Sequence, residues 1–147
     1  MVYLVTKVRE LFDSEFYTII DESTACSLLN GCSVLQFDSE TSGIDCRVDT
    51  LLSIQLGSKE KNFQIVIDCT TIDINVFKPY LEKCLLVGHN LKFDLQWLYN
   101  YGIVPRKVYD TMIVEQVLYL GFPYVVITPE EYKEYNYTFP YKEFYKM

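Results

Sequence analysis

Two rhythms of apolar and polar positions run along the chain. Alternating or unbroken apolar stretches predict extended segments at residues 1–8, 16–20, 34–40, 51–57, 63–68, 85–88 and 107–109. Apolar positions three and four apart predict helices at 25–29, 74–82, 90–101 and 111–120. Asp21, Glu22, Ser23 and Thr24 offer caps ahead of the first helix, and Gly31, Gly102 and the Gly121/Pro123 pair are stop signals. Pro79 would bend or restrict the second helix. Leu52, Ile54 and Leu56 form the expected inward set of the 51–57 segment, and the short connection 58–62 favours an antiparallel hairpin with 63–68. A hairpin followed by alternating helices and short buried strands predicts an α/β fold, a sheet with helices on its faces.

Length and composition narrow this further. At 147 residues the chain suits one unit: residues 1–123 as the α/β domain, and 124–147 as a tyrosine-rich tail belonging to the same unit. Thr128-Pro129-Glu130-Glu131 predicts one short helix in that tail, from Pro129 to about Asn136. A hydrophobic fraction of 50% with 22% charged residues is that of a folded protein, and no apolar run is long enough to span a membrane. The amino terminus shows no basic region, apolar core and cleavage site, so the expected location is the cytoplasm, a host cell's cytoplasm for a viral protein. Five scattered cysteines without Cys-x-x-Cys spacing argue against a disulfide framework or a zinc site. A net charge of −7 argues against a broad basic nucleic-acid surface, but leaves open a site that grips phosphate through cations.

The chemistry concentrates at two stations. In Val34-Leu35-Gln36-Phe37-Asp38-Ser39-Glu40-Thr41 an apolar run feeds into two carboxylates at i and i+2, which share a face at the end of a strand. Two like charges side by side call for a counter-ion, although Asp-x-Glu also occurs wherever a strand runs out into a polar turn. The second station is His89-Asn90-Leu91-Lys92-Phe93-Asp94. Asp94 falls on the inward face of its helix with Leu91 and Leu98. A carboxylate there needs compensation: a cation shared with Asp38, or a hydrogen bond from a nearby strand end or Lys92. His89 is the sole histidine, so the donors suit Mg2+ or Mn2+ rather than a histidine-rich transition-metal site. His89 itself could bond a backbone carbonyl or take a catalytic part.

Phe37-Asp38-x-Glu40-Thr41, His89-Asn90-x-x-Phe93-Asp94 and Tyr109-Asp110-Thr111, in that order and separation, resemble the DEDD (DnaQ-like) superfamily of 3'-5' exonucleases. The resemblance covers about residues 34–120 and is greatest to the proofreading exonuclease domain of family A DNA polymerases, with RNase D and oligoribonuclease in the same superfamily. It implies a ribonuclease H-like mixed sheet flanked by helices. The implied activity is two-metal hydrolysis of single-stranded 3' ends, DNA in preference to RNA, to nucleoside monophosphates. Asp38, Glu40 and Asp94 would hold the two Mg2+ or Mn2+ ions and carry the catalysis. Thr41, Ile44 and Asn90 would contact the terminal nucleotide and strand, against plain roles as turn residues and a helix N-cap. His89 and Phe93 would support the site, and Asp110 would cap the following helix.

The third family station, Tyr-x-x-x-Asp or His-x-x-x-x-Asp, is absent: Tyr132 is followed at that spacing by Asn136, Tyr137 by Tyr141 and Tyr141 by Tyr145. The expected domain is therefore incomplete at its C-terminal side. A polymerase domain or complementary chain could supply the remainder, Glu130, Glu131 or Glu134 could substitute, or the domain could be non-catalytic. The non-enzyme alternative is an acidic interaction module that binds a polymerase or other partner through its tyrosines.

Overall fold

Backbone pairing follows the apolar alternation. The strands are β1 (Val2–Val5), β2 (Thr18–Ile20), β3 (Val34–Thr41), β4 (Leu51–Ser58), β5 (Phe63–Asp68), β6 (Leu85–Gly88) and β7 (Lys107–Asp110). The helices are α1 (Glu22–Leu29), α2 (Lys78–Lys83), α3 (Leu91–Asn100) and α4 (Thr111–Tyr119). The computed structural model describes residues 1–8 and 15–119. The chain divides into two units, Met1–Glu115 and Gln116–Met147. All of the strands lie in the first; of the second, only the end of α4 is described.

The seven strands form one mixed sheet in the order β2-β1-β5-β4-β3-β6-β7. β3, β4 and β5 pair antiparallel, as the short 58–62 connection requires. The other neighbours are parallel. Register explains the core. Ser39, Ile54 and Ile67 align across three strands, as do Phe37, Leu56 and Ile65, and Leu35 faces Leu86. All of these are buried. All but Ser39 meet Ala25 and Leu29 of α1, Phe77, Leu81 of α2, and Leu91, Trp97 and Leu98 of α3 in one hydrophobic cluster. Burying a side chain of this kind contributes roughly 2 kcal/mol, so the cluster fixes which face of each strand turns inward.

The opposite face carries the intervening residues, among them Gln36, Gly57 and Gln64 in one row and Asp38, Gln55 and Val66 in the next. This mixed α/β architecture is the expected ribonuclease H-like one. Among the described residues no helix is long and apolar enough to cross a membrane. Cys32 and Cys84 are buried, Cys26, Cys46 and Cys69 partly so, and all are free thiols. Burial pushes the Cys69 thiol up to about 12.

Three local expectations change. The inward residue at the start of β4 is Leu51, while Leu52 is 39% exposed. The cause is a register shift between Glu40 and Thr41, where Thr41 pairs with Leu51 and Leu52 is skipped. Residues 74–82 are not one helix: a 3₁₀ turn, Ile74–Phe77, precedes α2, and Pro79 sits in the first turn of α2, where its missing N–H costs nothing. Asn90 does not cap α3 with its side chain and adopts a left-handed backbone, φ +57°. The helix expected at 129–136, the tail tyrosines, and Glu130, Glu131 and Glu134 lie outside the described residues.

Candidate active site

The strand that carries the carboxylate pair runs through the middle of the sheet, and its pleat separates two roles. Val34, Gln36, Asp38 and Glu40 face outward from β3 and are exposed; Leu35, Phe37 and Ser39 face the core and are buried. Asp38 and Glu40 therefore share a face, as their i, i+2 spacing requires. Beyond the bulge the chain turns through residues 42–50. The Thr41 hydroxyl donates to the Gly43 carbonyl at 2.6 Å, and the Asp45 and Asp49 backbones and side chains interlock. Arg47 pairs with Asp45 at 2.7 Å, and its hydrogen bonds hold the Asp45 carboxyl down at about 2. Asn100, at the end of α3, donates to the Cys46 carbonyl at 2.9 Å. The turn is thus tethered to α3 while Ile44 stands 81% exposed.

α3 brings Asp94 against the core side of β3. Asp94 is 4% exposed, and the buried Ser39 hydroxyl donates to its Oδ1 at 2.5 Å. Burial pushes the Asp94 carboxyl above the ordinary aspartate range; the Ser39 hydrogen bond pulls it back, and the Asp38 charge pushes it up again. Phe93 meets Trp97 edge-on, ring centres 6.3 Å apart. At the entrance to the helix, the amides of Asn90 and Leu91 donate to the Asp110 carboxylate at 3.0 and 2.8 Å. His89 Nδ1 lies 3.0 Å from the Thr111 hydroxyl, which donates to the Gly88 carbonyl.

The structure brings Asp38 and Glu40 together on one face and places Asp94 against the residue between them. Asp94 is near enough to Asp38 to feel its charge. Among the described residues no three His, Cys, Asp or Glu side chains group so as to hold an ion by themselves. The donors nonetheless fit a hard divalent cation in kind. Asp38, Glu40 and Asp94 are oxygen donors, none of them belongs to an ion pair found among the described residues, and the buried Asp94 charge is uncompensated by a cation. Sequence reasoning missed Ser39, and it gave Asp110 only the cap of the helix that follows it. Ser39 was legible, because strand alternation turns the middle residue of Asp-Ser-Glu inward, toward whatever packs there. The reach of Asp110 to α3 had no local signal: it spans 20 residues.

Residues 14–122 match the family described as 3'-5' exonuclease. DNA polymerase I of Aquifex aeolicus is 39% identical over 95 residues, which are 64% of this chain and 15% of that protein. The DNA polymerase of Escherichia phage T5 is 36% identical over 96 residues, 56% of this chain and 11% of that protein. The chain thus spans a small part of the length of these relatives. In fold it resembles Escherichia coli RNase D, an exoribonuclease involved in structured RNA processing, with a TM-score of 0.60 at 20% identity over 84% of this chain and 30% of that one.

Proposed function

The chain belongs to the 3'-5' exonuclease family, whose members are hydrolytic, and from that premise we propose that it removes nucleotides from single-stranded DNA 3' ends with the help of Mg2+ or Mn2+. The observation that carries this reading is the β3 motif: two carboxylates exposed on one face, and a third, on α3, buried against the intervening serine. Asp38, Glu40 and Asp94 would hold the cations, two in the full site. Bound there, they would supply a low-pKa water as nucleophile and stabilise the leaving 3' oxygen. The chain's own residues do the placing. β3 holds the Asp38 and Glu40 oxygens in one orientation. Ser39 keeps one Asp94 oxygen fixed, and the core beneath excludes water from that side. Thr41, Ile44 and Asn90 are our choice for contacts to the terminal nucleotide. Ile44 is an exposed apolar side chain on a tethered turn, suited to a base face. His89 and Phe93 would buttress the α3 entrance. DNA is preferred over RNA because the two relatives named above, 39% and 36% identical, are DNA polymerases. Their length also supports a polymerase domain or a complementary chain as partner.

The test is to incubate the chain with end-labelled single-stranded DNA and RNA in Mg2+ or Mn2+, beside Asp38→Ala. Metal-dependent release of mononucleotides, lost in Asp38→Ala, is the expected result. No release with either ion, alone or with a chain supplying a Tyr-x-x-x-Asp segment, sinks it. A second reading has its own observation: three ligands do not group among the described residues. That favours an exonuclease-like interaction module, which calorimetry would reveal as a chain that binds neither ion.

A further inference from the structure

Asp110 ends β7 and is 8% exposed. Its carboxylate is occupied by backbone amides: Oδ1 accepts from Asn90 and Met112, both at 3.0 Å, and Oδ2 from Leu91 at 2.8 Å. The Met112 bond is the expected cap on α4. The other two belong to α3, whose first turn has no capping bond from its own N-cap side chain. Asn90 stands there at φ +57° and ψ +42°, a left-handed conformation that few side chains but asparagine adopt. An entrance in this uncommon conformation, clamped by a distant buried carboxylate, is held from outside the helix.

One turn further on, α3 presents Asp94 to Ser39 of β3 at 2.5 Å. A chain of contacts therefore runs from the β7–α4 junction through Asp110 to the α3 entrance, along one helical turn to Asp94, and on to the strand bearing Asp38 and Glu40. We infer that Asp110 is a positioning residue of the exonuclease site: by clamping the Asn90 and Leu91 amides it sets where the Asp94 carboxylate stands relative to Asp38 and Glu40. The inference rests on the metal-dependent exonuclease reading. A capping role alone would lend stability and nothing more. A positioning role couples Asp110 to metal affinity, as outer partners of metal ligands do, with losses of about 10–100-fold when they are altered.

The experiment measures Mn2+ binding by electron paramagnetic resonance of the free ion, with Trp97, the sole tryptophan, reporting the fold by its emission. The chains compared are wild type, Asp110→Asn, Asp110→Glu and Asp21→Ala. Asp110→Asn keeps the shape but turns an NH2 group toward a backbone N–H. Asp21 caps α1 through the Thr24 amide at 2.7 Å, so its removal is a stability control away from the site. Expected are a loss of about 10-fold or more in Asp110→Asn, an intermediate loss in Asp110→Glu and wild-type affinity in Asp21→Ala. A folded Asp110→Asn that binds Mn2+ like wild type overturns the positioning role and leaves the exonuclease reading standing. An equal loss in Asp21→Ala overturns it too. If Asp110→Asn does not fold, Asp110→Glu decides alone, and undiminished affinity there is the refuting result. A wild-type chain that binds no Mn2+, either alone or with a chain supplying a Tyr-x-x-x-Asp segment, removes the metal-dependent exonuclease reading, and this inference falls with it.

Discussion

Gly88 ends β6 beside the strand that carries Asp38, and replacing it with alanine puts a methyl group where the structure has no room. A Cβ built there would lie 2.6 Å from the Phe37 carbonyl oxygen and 2.5 Å from Cδ2 of the buried Leu91. Ordinary contact begins near 3.4 Å, so the oxygen must retreat by about 0.8 Å. That oxygen belongs to β3 backbone and cannot swing aside as a side chain would. The peptide it belongs to leads directly into Asp38. Overpacking of this kind costs about 1–3 kcal/mol, equivalent to a fall in Tm of roughly 3–9 °C for a chain of this size. Gly57→Ala is the matched comparison. Its Cβ would also meet an oxygen at 2.5 Å, but that oxygen is Oε1 of the exposed Gln36 side chain, which can rotate away. Because alanine lowers the conformational entropy of the unfolded chain, Gly57→Ala should be neutral or gain up to about 1 kcal/mol. Urea unfolding followed by Trp97 emission measures both. Equal stabilities for the two variants would refute the distinction between a backbone and a side-chain obstacle. Mn2+ affinity measured alongside should fall in Gly88→Ala only.

Asp94→Asn should stabilise the metal-free chain at neutral pH while abolishing divalent-ion binding, since the amide still accepts the Ser39 hydroxyl without burying charge beside Asp38. A raised carboxyl supports the fold where it is protonated and loses that support as pH rises through its folded value, so the gain should shrink toward acid pH; urea midpoints that show a less stable Asn variant at neutral pH would contradict this. Asp68 has the opposite sign: burial alone would raise it, but hydrogen bonds from Thr70, Thr6 and Thr71 at 2.6, 2.7 and 2.8 Å together hold it below the ordinary range. Its contribution is present above the unfolded value and is lost as pH falls through the folded one, so Asp68→Asn should flatten the loss of stability below about pH 4, and an unchanged acid limb would count against it.

The amino-acid sequence by itself determined much of this protein. Strand alternation placed Asp38 and Glu40 on one face before any tertiary contact was known, because a pleated strand leaves no other arrangement. Helical spacing likewise turned Asp94 inward with Leu91 and Leu98, and the short 58–62 connection forced an antiparallel hairpin. These features depend on neighbours a few residues apart, which is the range over which backbone geometry acts. The motifs in order were enough to identify the family, and residues 14–122 confirm it.

Tertiary structure alone decided the rest. The bulge that exchanges Leu51 for Leu52 arises from pairing β3 against β4, and no local pattern encodes a register shift. Of the hydrogen-bond partners open to Asp94, a strand end or Lys92, the fold supplies the strand-end residue Ser39, a contact across 55 residues. The α3 entrance is held by Asp110 rather than by the Asn90 side chain, because a buried carboxylate at the end of β7 meets two amides that the topology of parallel β6 and β7 brings beside it. Which carboxylates stand exposed and which are held by the scaffold was settled by burial and long-range hydrogen bonding, quantities that exist only once the chain has folded.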